Sequence, residues 1–273
     1  RQFIKTFSFV IFYRCMKVVI FAGGLGTRIS EETDTRPKPM VEIGGKPILW
    51  HIMKIYSHFG HNDFIICLGY KGYVIKEYFM NYFLHNSNIT IDIANNKMQV
   101  LATHSEAFKV TLIETGSTTK TAGRLKQVQP YIGNEDFMLT YGDGVADINI
   151  NGLAAFHKSH NKIATVTAVQ LEARFGGMHI GKNGEVTSFR EKAKDESKWI
   201  NAGFFVLKPE VFKYLEGNMN DKMWEDEPLE NLTNNNELVA FKHAGFWKCM
   251  DAMRDKIELE AMWQNNAAKW KKW

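Results

Sequence analysis

Between Val18 and Ser30 an apolar run, VVIFA, opens into GGLGTR, so that three glycines, Gly23, Gly24 and Gly26, are followed at once by Arg28. Glycines between a strand and a helix let backbone N–H groups approach phosphate oxygens with no Cβ in the way. The arginine adds a planar fork of donors, and ten residues on Lys38 adds a compact positive charge in the setting RPKPM. A polyanionic phosphate ligand is the chemistry that these types serve. Two familiar phosphate loops fail on this stretch. Ile29 stands where the fingerprint G-x-G-x-x-G needs its third glycine, and no Gly-Lys-Ser/Thr follows at P-loop spacing. Farther along, Asp143 in YGDG and Asp251 in WKCMDAM are hard oxygen donors of the kind magnesium takes. Asp143 between glycines equally suits a turn. Asp255 lies one helical turn beyond Asp251, and either carboxylate also suits a helix start.

Elements must bring these groups to one place. Val18 to Phe21 is a continuous apolar run, as expected of a strand buried on both faces. Ile48, Ile52, Ile55 and Phe59 recur at helical spacing, with Pro47 near the start and Gly60 at the end. Phe64 to Leu68 reads as a second buried strand, YVIKEYFMNYFLHN as a helix, and ITIDIANNKMQVLA as two strands about an Asn95-Asn96 turn. A strand begins at Val110, TAGRLKQVQPYI is helical until Pro130, and FMLTYGDG is a strand ending at Asp143. The second half holds the strand IATVTAVQ, a hairpin around Asn183-Gly184, the strand GFFVL, and a closing helix from about Ala252. Alternating strand and helix predict an α/β fold, a mainly parallel sheet flanked by helices, with ligands outside the carboxyl ends of its strands. The glycine loop and Asp143 both fall at that edge.

The loop AGGLGTR with PKPM and GKP (Gly45, Lys46, Pro47) resembles the sugar-1-phosphate nucleotidyltransferase family. The resemblance extends from Met16 over the whole chain. EIGGKPILWHIM, CLGYKGYVIKEYF, TYGDGVAD, NAGFFVL and FWKCMDAMRDK look like the branch that couples CTP to glucose 1-phosphate, giving CDP-glucose and pyrophosphate. The resemblance implies a Rossmann-like, GT-A-like mixed sheet with a less regular sugar-binding second half, Mg2+ as cofactor, and a homo-oligomer, with a hexamer among the states expected. It implies that Phe21, Ala22, Gly23, Gly24, Leu25, Gly26, Thr27 and Arg28 hold the triphosphate, that Lys38 meets the phosphates, and that Asp143 and Asp251 are the metal ligands. It implies, too, that Arg28 and Lys38 are the catalytic pair. Thr119, Gly123 and Arg124 in STTKTAGRLK, with Gly142, are the implied base and nucleotide contacts. Glu191 and Lys192 in FREKAK and Asn201 in NAG are the implied sugar-phosphate contacts, with Ala193 where the family carries proline. Cytosine offers an amino donor where uracil offers a carbonyl, so the group that selects it is an acceptor. No catalytic base is needed, and His51 and His58 read as packing or surface residues.

Composition narrows the alternatives. Hydrophobic residues make up 45% and charged residues 23% of the 273, as in an ordinary globular protein, and no apolar run nears the ~20 residues that cross a bilayer. The net charge of +4 has its one basic cluster at Lys269 to Trp273, which does not predict a nucleic-acid partner. Three widely spaced cysteines fit reduced thiols in the cytoplasm. Residues 1–15 are expected to lie upstream of the fold and 16–273 to form one nucleotidyltransferase domain. A UTP- or GTP-using relative remains open, because base choice rests on few atoms. A glycosyltransferase would need an Asp-x-Asp metal motif, whereas Asp143 and Asp147 are too far apart in sequence. A non-catalytic nucleotide-binding subunit would be expected to lose Lys38 or an aspartate.

Overall fold

The computed structural model describes residues 15–24, 26–170, 177–180, 185–190 and 199–273. The extension over 1–14, Leu25, Glu191, Lys192 and Ala193 lie outside the described residues. Seven strands make the central sheet: β1 (Val18–Ala22), β2 (Asp63–Leu68), β3 (Lys109–Glu114), β4 (Phe137–Tyr141), β5 (Ala164–Gln170), β6 (Trp199–Leu207) and β7 (Leu238–His243). Their spatial order is β7-β5-β6-β4-β1-β2-β3. β1 pairs parallel with both β2 and β4, β2 with β3 and β5 with β7, while β6 runs antiparallel to its neighbours β4 and β5.

The apolar run of β1 explains its central place, since every one of its five residues is buried. Val18 and Ile20 face one core and Val19 and Phe21 the other, each side chain removing apolar area worth about 1.5–3 kcal/mol from water. Against the first face pack α1 (Ile48–His58), α2 (Gly72–His85), α4 (Ile150–Ser159) and α6 (Met253–Gln264); against the second pack α3 (Thr121–Ile132) and α5 (Glu227–Asn234). The expected mixed, mainly parallel α/β sheet is therefore present.

Two details differ from the reading of the sequence. α3 runs two residues past Pro130, because Ile132 is buried in the second core and holds the last turn in place. β4 stops at Tyr141, and Gly142-Asp143 form a turn into the short strand Gly144–Ala146. Of the aromatics of α2, Tyr82 is buried and Tyr78 and Phe79 pack on the core, leaving Phe83 outside with Tyr73 and Met80. The expected hairpin exists as the antiparallel pair Gly177–Ile180 and Val186–Arg190, its Asn183-Gly184 turn lying outside the described residues. His51 is fully buried among Trp50, Trp263, Trp270 and Trp273, whereas His58 is exposed.

Candidate active site

The loop after β1 begins the site. Gly26 has φ 66°, a left-handed backbone, and a Cβ there would stand 2.8 Å from Thr33 Cγ2. The Thr33 hydroxyl lies 3.1 Å from the Gly26 carbonyl and 3.2 Å from that of Ile29, stapling the loop to the turns behind it. At Gly23 a Cβ would overlap the Arg124 guanidinium. That guanidinium is buried and donates to the carbonyls of Leu68 at 2.8 Å and Gly23 at 3.0 Å and to the Thr115 hydroxyl at 2.6 Å. It thus ties the carboxyl ends of β1 and β2 together from behind.

Lys38 opens a single 3-10 turn, Lys38–Met40, after Pro37 at φ −72°, so its backbone is restricted on both sides by proline. Its side chain is only 14% exposed and reaches across to the second half of the chain. There Gly144–Ala146 pairs antiparallel with the strand Trp247–Cys249, and Met250 N donates to Asp143 O at 2.8 Å. This small ladder sets Asp143 and Asp251, 108 positions apart in sequence, beside one another. Lys38 Nζ lies 2.7 Å from Asp143 Oδ2 and 2.7 Å from Asp251 Oδ1, and Arg28 adds a 3.2 Å contact to Asp251 Oδ2. Burial works against the Lys38 ammonium, but the charges and hydrogen bonds of the two aspartates outweigh it and hold its pKa above the ordinary lysine value. Burial likewise opposes the charged Asp251 carboxyl, yet Lys38 and Arg28 hold its pKa below the usual range.

The neighbours have other employment. Asp255 accepts from the backbone N–H groups of Asp251 and Ala252 at 3.1 and 2.9 Å, capping the entry to α6. Asp147 accepts from Phe246 N at 2.7 Å and pairs with His243. Arg36 pairs with Glu42 at 3.1 Å and lines a different groove, so it does not stand in for Lys38.

A cleft of about 540 Å³ joins these groups. Phe21, Gly24, Gly26, Thr27, Arg28, Lys38, Gly142, Asp143, Asn201 and Asp251, all expected from the sequence, line it together. Ala22, Gly23 and Arg124 lie behind the wall as supports. Thr119 and Gly123 are not brought into it: Gly123 packs against Thr119, Met219 and Asn220 and borders a separate groove. The cleft also contains Thr121, Tyr141, Met223, Trp247 and Cys249, which the sequence reading missed. Tyr141, Trp247 and Cys249 were within reach, since they belong to YGDG and WKCMD; Thr121 and Met223 arrive through loop packing that leaves no local signal. Tyr141 OH meets the Asn201 amide at 3.3 Å, and burial with the nearby Glu225 carboxylate raises its pKa above the ordinary tyrosine value. Burial and the adjacent Asp251 and Asp143 carboxylates push the Cys249 thiol up to about 12, an unreactive state.

The donor set can be tested for magnesium. Two carboxylate oxygens, 108 positions apart in sequence, converge on a single cation, here the Lys38 ammonium from the first half of the chain. No cluster of three or more His, Cys, Asp or Glu side chains suited to a metal occurs among the described residues. Magnesium commonly takes one or two carboxylates and completes its octahedron with water and substrate phosphates, so Asp143 and Asp251 fit such an ion. Among the described residues no helix is long and apolar enough to cross a membrane.

Comparison with known proteins fits this geometry. The family model described as Nucleotidyl transferase matches residues 17–263. The glucose-1-phosphate cytidylyltransferase of Salmonella typhimurium is 54% identical, the match covering 94% of this chain and all of the relative. A mannose-1-phosphate guanyltransferase of Saccharomyces cerevisiae is 27% identical over 93% of this chain and 66% of its own length. A solved UDP-glucose pyrophosphorylase complexed with UDP-glucose superposes at a TM-score of 0.66 and 17% identity, covering 93% of this chain and all of that one, which shows the shared fold. A glycine loop at the carboxyl end of β1, a lysine held between two aspartates and a family match across nearly the whole chain lead to one conclusion: the chain belongs to the nucleotidyl transferase family.

Proposed function

We propose that the chain transfers the cytidylyl group of CTP to α-D-glucose 1-phosphate, releasing pyrophosphate by in-line attack of the sugar phosphate on the α-phosphorus. The observation that carries this reading is the convergence of Lys38, Asp143 and Asp251 at the mouth of the glycine loop, in one cleft with Asn201. The 54% identical Salmonella relative supplies the choice of CTP and glucose 1-phosphate. Both reactants are polyanions, so positioning and charge neutralisation account for most of the rate.

The loop's N–H groups and Arg28 hold the β- and γ-phosphates; Arg28 is 77% exposed and free to turn from Asp251 to the triphosphate. Lys38 bridges the α-phosphate and the incoming phosphate, leaving the two aspartates as its charge exchanges partners. Asp143 and Asp251 would then hold Mg2+, which when bound supplies Lewis-acid neutralisation of phosphate charge. The attacking phosphate oxygen is ionised at neutral pH, so no side chain has to remove a proton. Asn201 accepts or donates to a sugar hydroxyl, and Glu191 and Lys192 complete the sugar-phosphate contacts. Residues 16–273 act as one catalytic unit in the cytoplasm, in keeping with the three free cysteines. The unit is a homo-oligomer, as its isolated hairpin Ser87–Asp92 and Lys97–Thr103 suggests with Ile91, Met98 and Leu101 exposed.

The test is pyrophosphate release from purified protein with glucose 1-phosphate, magnesium and each of CTP, UTP, GTP, ATP and dTTP, beside Lys38→Ala. Release with CTP alone, lost in the variant, is expected. Release with another triphosphate would overturn the base assignment, and release with none would overturn the catalytic reading.

A further inference from the structure

Trp247 lines the cleft, and the proposed reaction gives it no role. It lies on the strand Trp247–Cys249 that leads to Asp251, opposite Ala146 of the strand that follows Asp143. Its indole N–H is already committed, donating to Ala202 O at 2.8 Å, and Ala202 follows Asn201 on β6. The side chain is half-buried, packed on the first core and bordering the cleft. Gly144, beside the indole nitrogen, carries no side chain to cover it; a Cβ built there would meet only that nitrogen, at 3.8 Å. With its polar atom spent on the backbone and its position fixed by that bond, what Trp247 offers a ligand is an oriented apolar surface next to Asn201.

Resting on the proposed glucosyl substrate, we infer that Trp247 is the plate against which the hexose ring lies, and that it sets selectivity at C2 and C4. In α-D-glucose 1-phosphate the axial phosphate occupies one face of the chair, and the opposite face presents the axial hydrogens H2 and H4. An aromatic plate meets that second face, because the phosphate side is claimed by Lys38. Galactose carries an axial hydroxyl at C4 and mannose at C2, both on the face toward the plate. Either would press a hydroxyl onto a surface whose one donor is already in use, losing its water without a partner.

The experiment compares wild type, Trp247→Phe and Trp247→Leu by steady-state kinetics with glucose, galactose and mannose 1-phosphates. For Trp247→Leu the expected result is a KM for glucose 1-phosphate raised about tenfold, a KM for CTP changed by less than about twofold, and a preference for glucose over its two epimers narrowed roughly fivefold. Trp247→Phe keeps a ring but no N–H, so it should restore most of both effects. If Phe behaves like Leu, Trp247 only braces the Ala202 carbonyl and the inference fails; it also fails if the two substrates' KM values move together. Saturation-transfer NMR of glucose 1-phosphate on wild-type protein, with a non-reactive α,β-methylene analogue of CTP, needs no variant to fold. Strongest transfer at H2 and H4 is expected, and strongest transfer at H3 and H5 would overturn the assignment. A wild type inactive on glucose 1-phosphate would overturn the glucosyl reading and this role together; an active one matched by Trp247→Leu would overturn the role alone.

Discussion

Replacing Lys38 by alanine should do two opposite things. In the free protein the ammonium separates Asp143 Oδ2 from Asp251 Oδ1, each 2.7 Å from it, so the two oxygens are no farther apart than twice that distance. Without it two negative charges face one another, repelling by roughly 1 kcal/mol at the dielectric of water and about 3 kcal/mol at an effective value of 20. The carboxylates are 28% and 42% exposed, which screens them toward the lower figure. A loss of about 1–2 kcal/mol at low salt follows, or a Tm lower by about 2–8 °C, shrinking as salt is added. Divalent cations should reverse it, because the metal no longer competes with an ammonium for the same oxygens. Lys38→Ala should therefore gain more Tm from Mn2+ or Mg2+ than wild type does, while its turnover falls about 10²–10³-fold for want of the phosphate-bridging charge. Thermal melts across a metal titration, paired with pyrophosphate release, read both effects. A variant as stable as wild type at low salt that gains nothing extra from Mn2+, or one that keeps turnover within about tenfold, would refute this account of Lys38.

Three further outcomes follow from the structure. His51 is buried with its Nε2 2.8 Å from Ile43 O and its Nδ1 facing the Trp270 indole N–H at 3.4 Å, a neutral arrangement that burial enforces by lowering its pKa to about 4. The unfolded chain takes up a proton near pH 6.5 that the folded one refuses, so stability is full above that pH and falls as pH drops toward 4, by up to about 3 kcal/mol; urea midpoints at pH 7.5 and 5 should diverge less in His51→Gln than in wild type. Arg124→Met would remove the charged donor shared by the Leu68 and Gly23 carbonyls and the Thr115 hydroxyl, the two carbonyls keeping backbone donors from Thr115 and Tyr70, costing about 1–3 kcal/mol by urea unfolding and raising the KM for CTP as the loop loosens; an unchanged KM would detach Arg124 from the loop. Gly26→Ala forces a side chain onto φ 66° and into Thr33, so about 1–2 kcal/mol of stability and part of the CTP affinity should be lost together, as calorimetric melting and nucleotide titration would show.

How much of this was legible in the sequence depended on whether chemistry or register placed the residue. Gly24, Gly26, Arg28 and Lys38 could be read because bare backbone and fixed charge at short spacing suit a phosphate, whereas Gly23 is bare to admit the Arg124 guanidinium, and β1 could be read because burial on both faces leaves an unbroken apolar run. The alternation of strand and helix gave the α/β class, but it could not show that β6 reverses direction, since an inner antiparallel strand is as apolar as its parallel neighbours. Asp143 could be placed at the sheet's carboxyl edge beside the loop, whereas Asp251 could be named only by motif. What joins them is the three-residue pairing of Gly144–Ala146 with Trp247–Cys249, too short to announce itself by alternation. The resemblance of STTKTAGRLK makes Arg124 a nucleotide contact, whereas the fold spends its donors on carbonyls beneath the glycine loop. The same pairing that hides the two aspartates also carries Trp247 to the cleft. The half of the site proposed for phosphate is thus written in closely spaced residues, while the half proposed for the sugar is assembled by strand register. Specificity for the sugar can accordingly shift through single changes along Trp247–Cys249 and β6 without touching the loop, and the kinetic split between CTP and sugar KM in the Trp247 variants tests that separation directly.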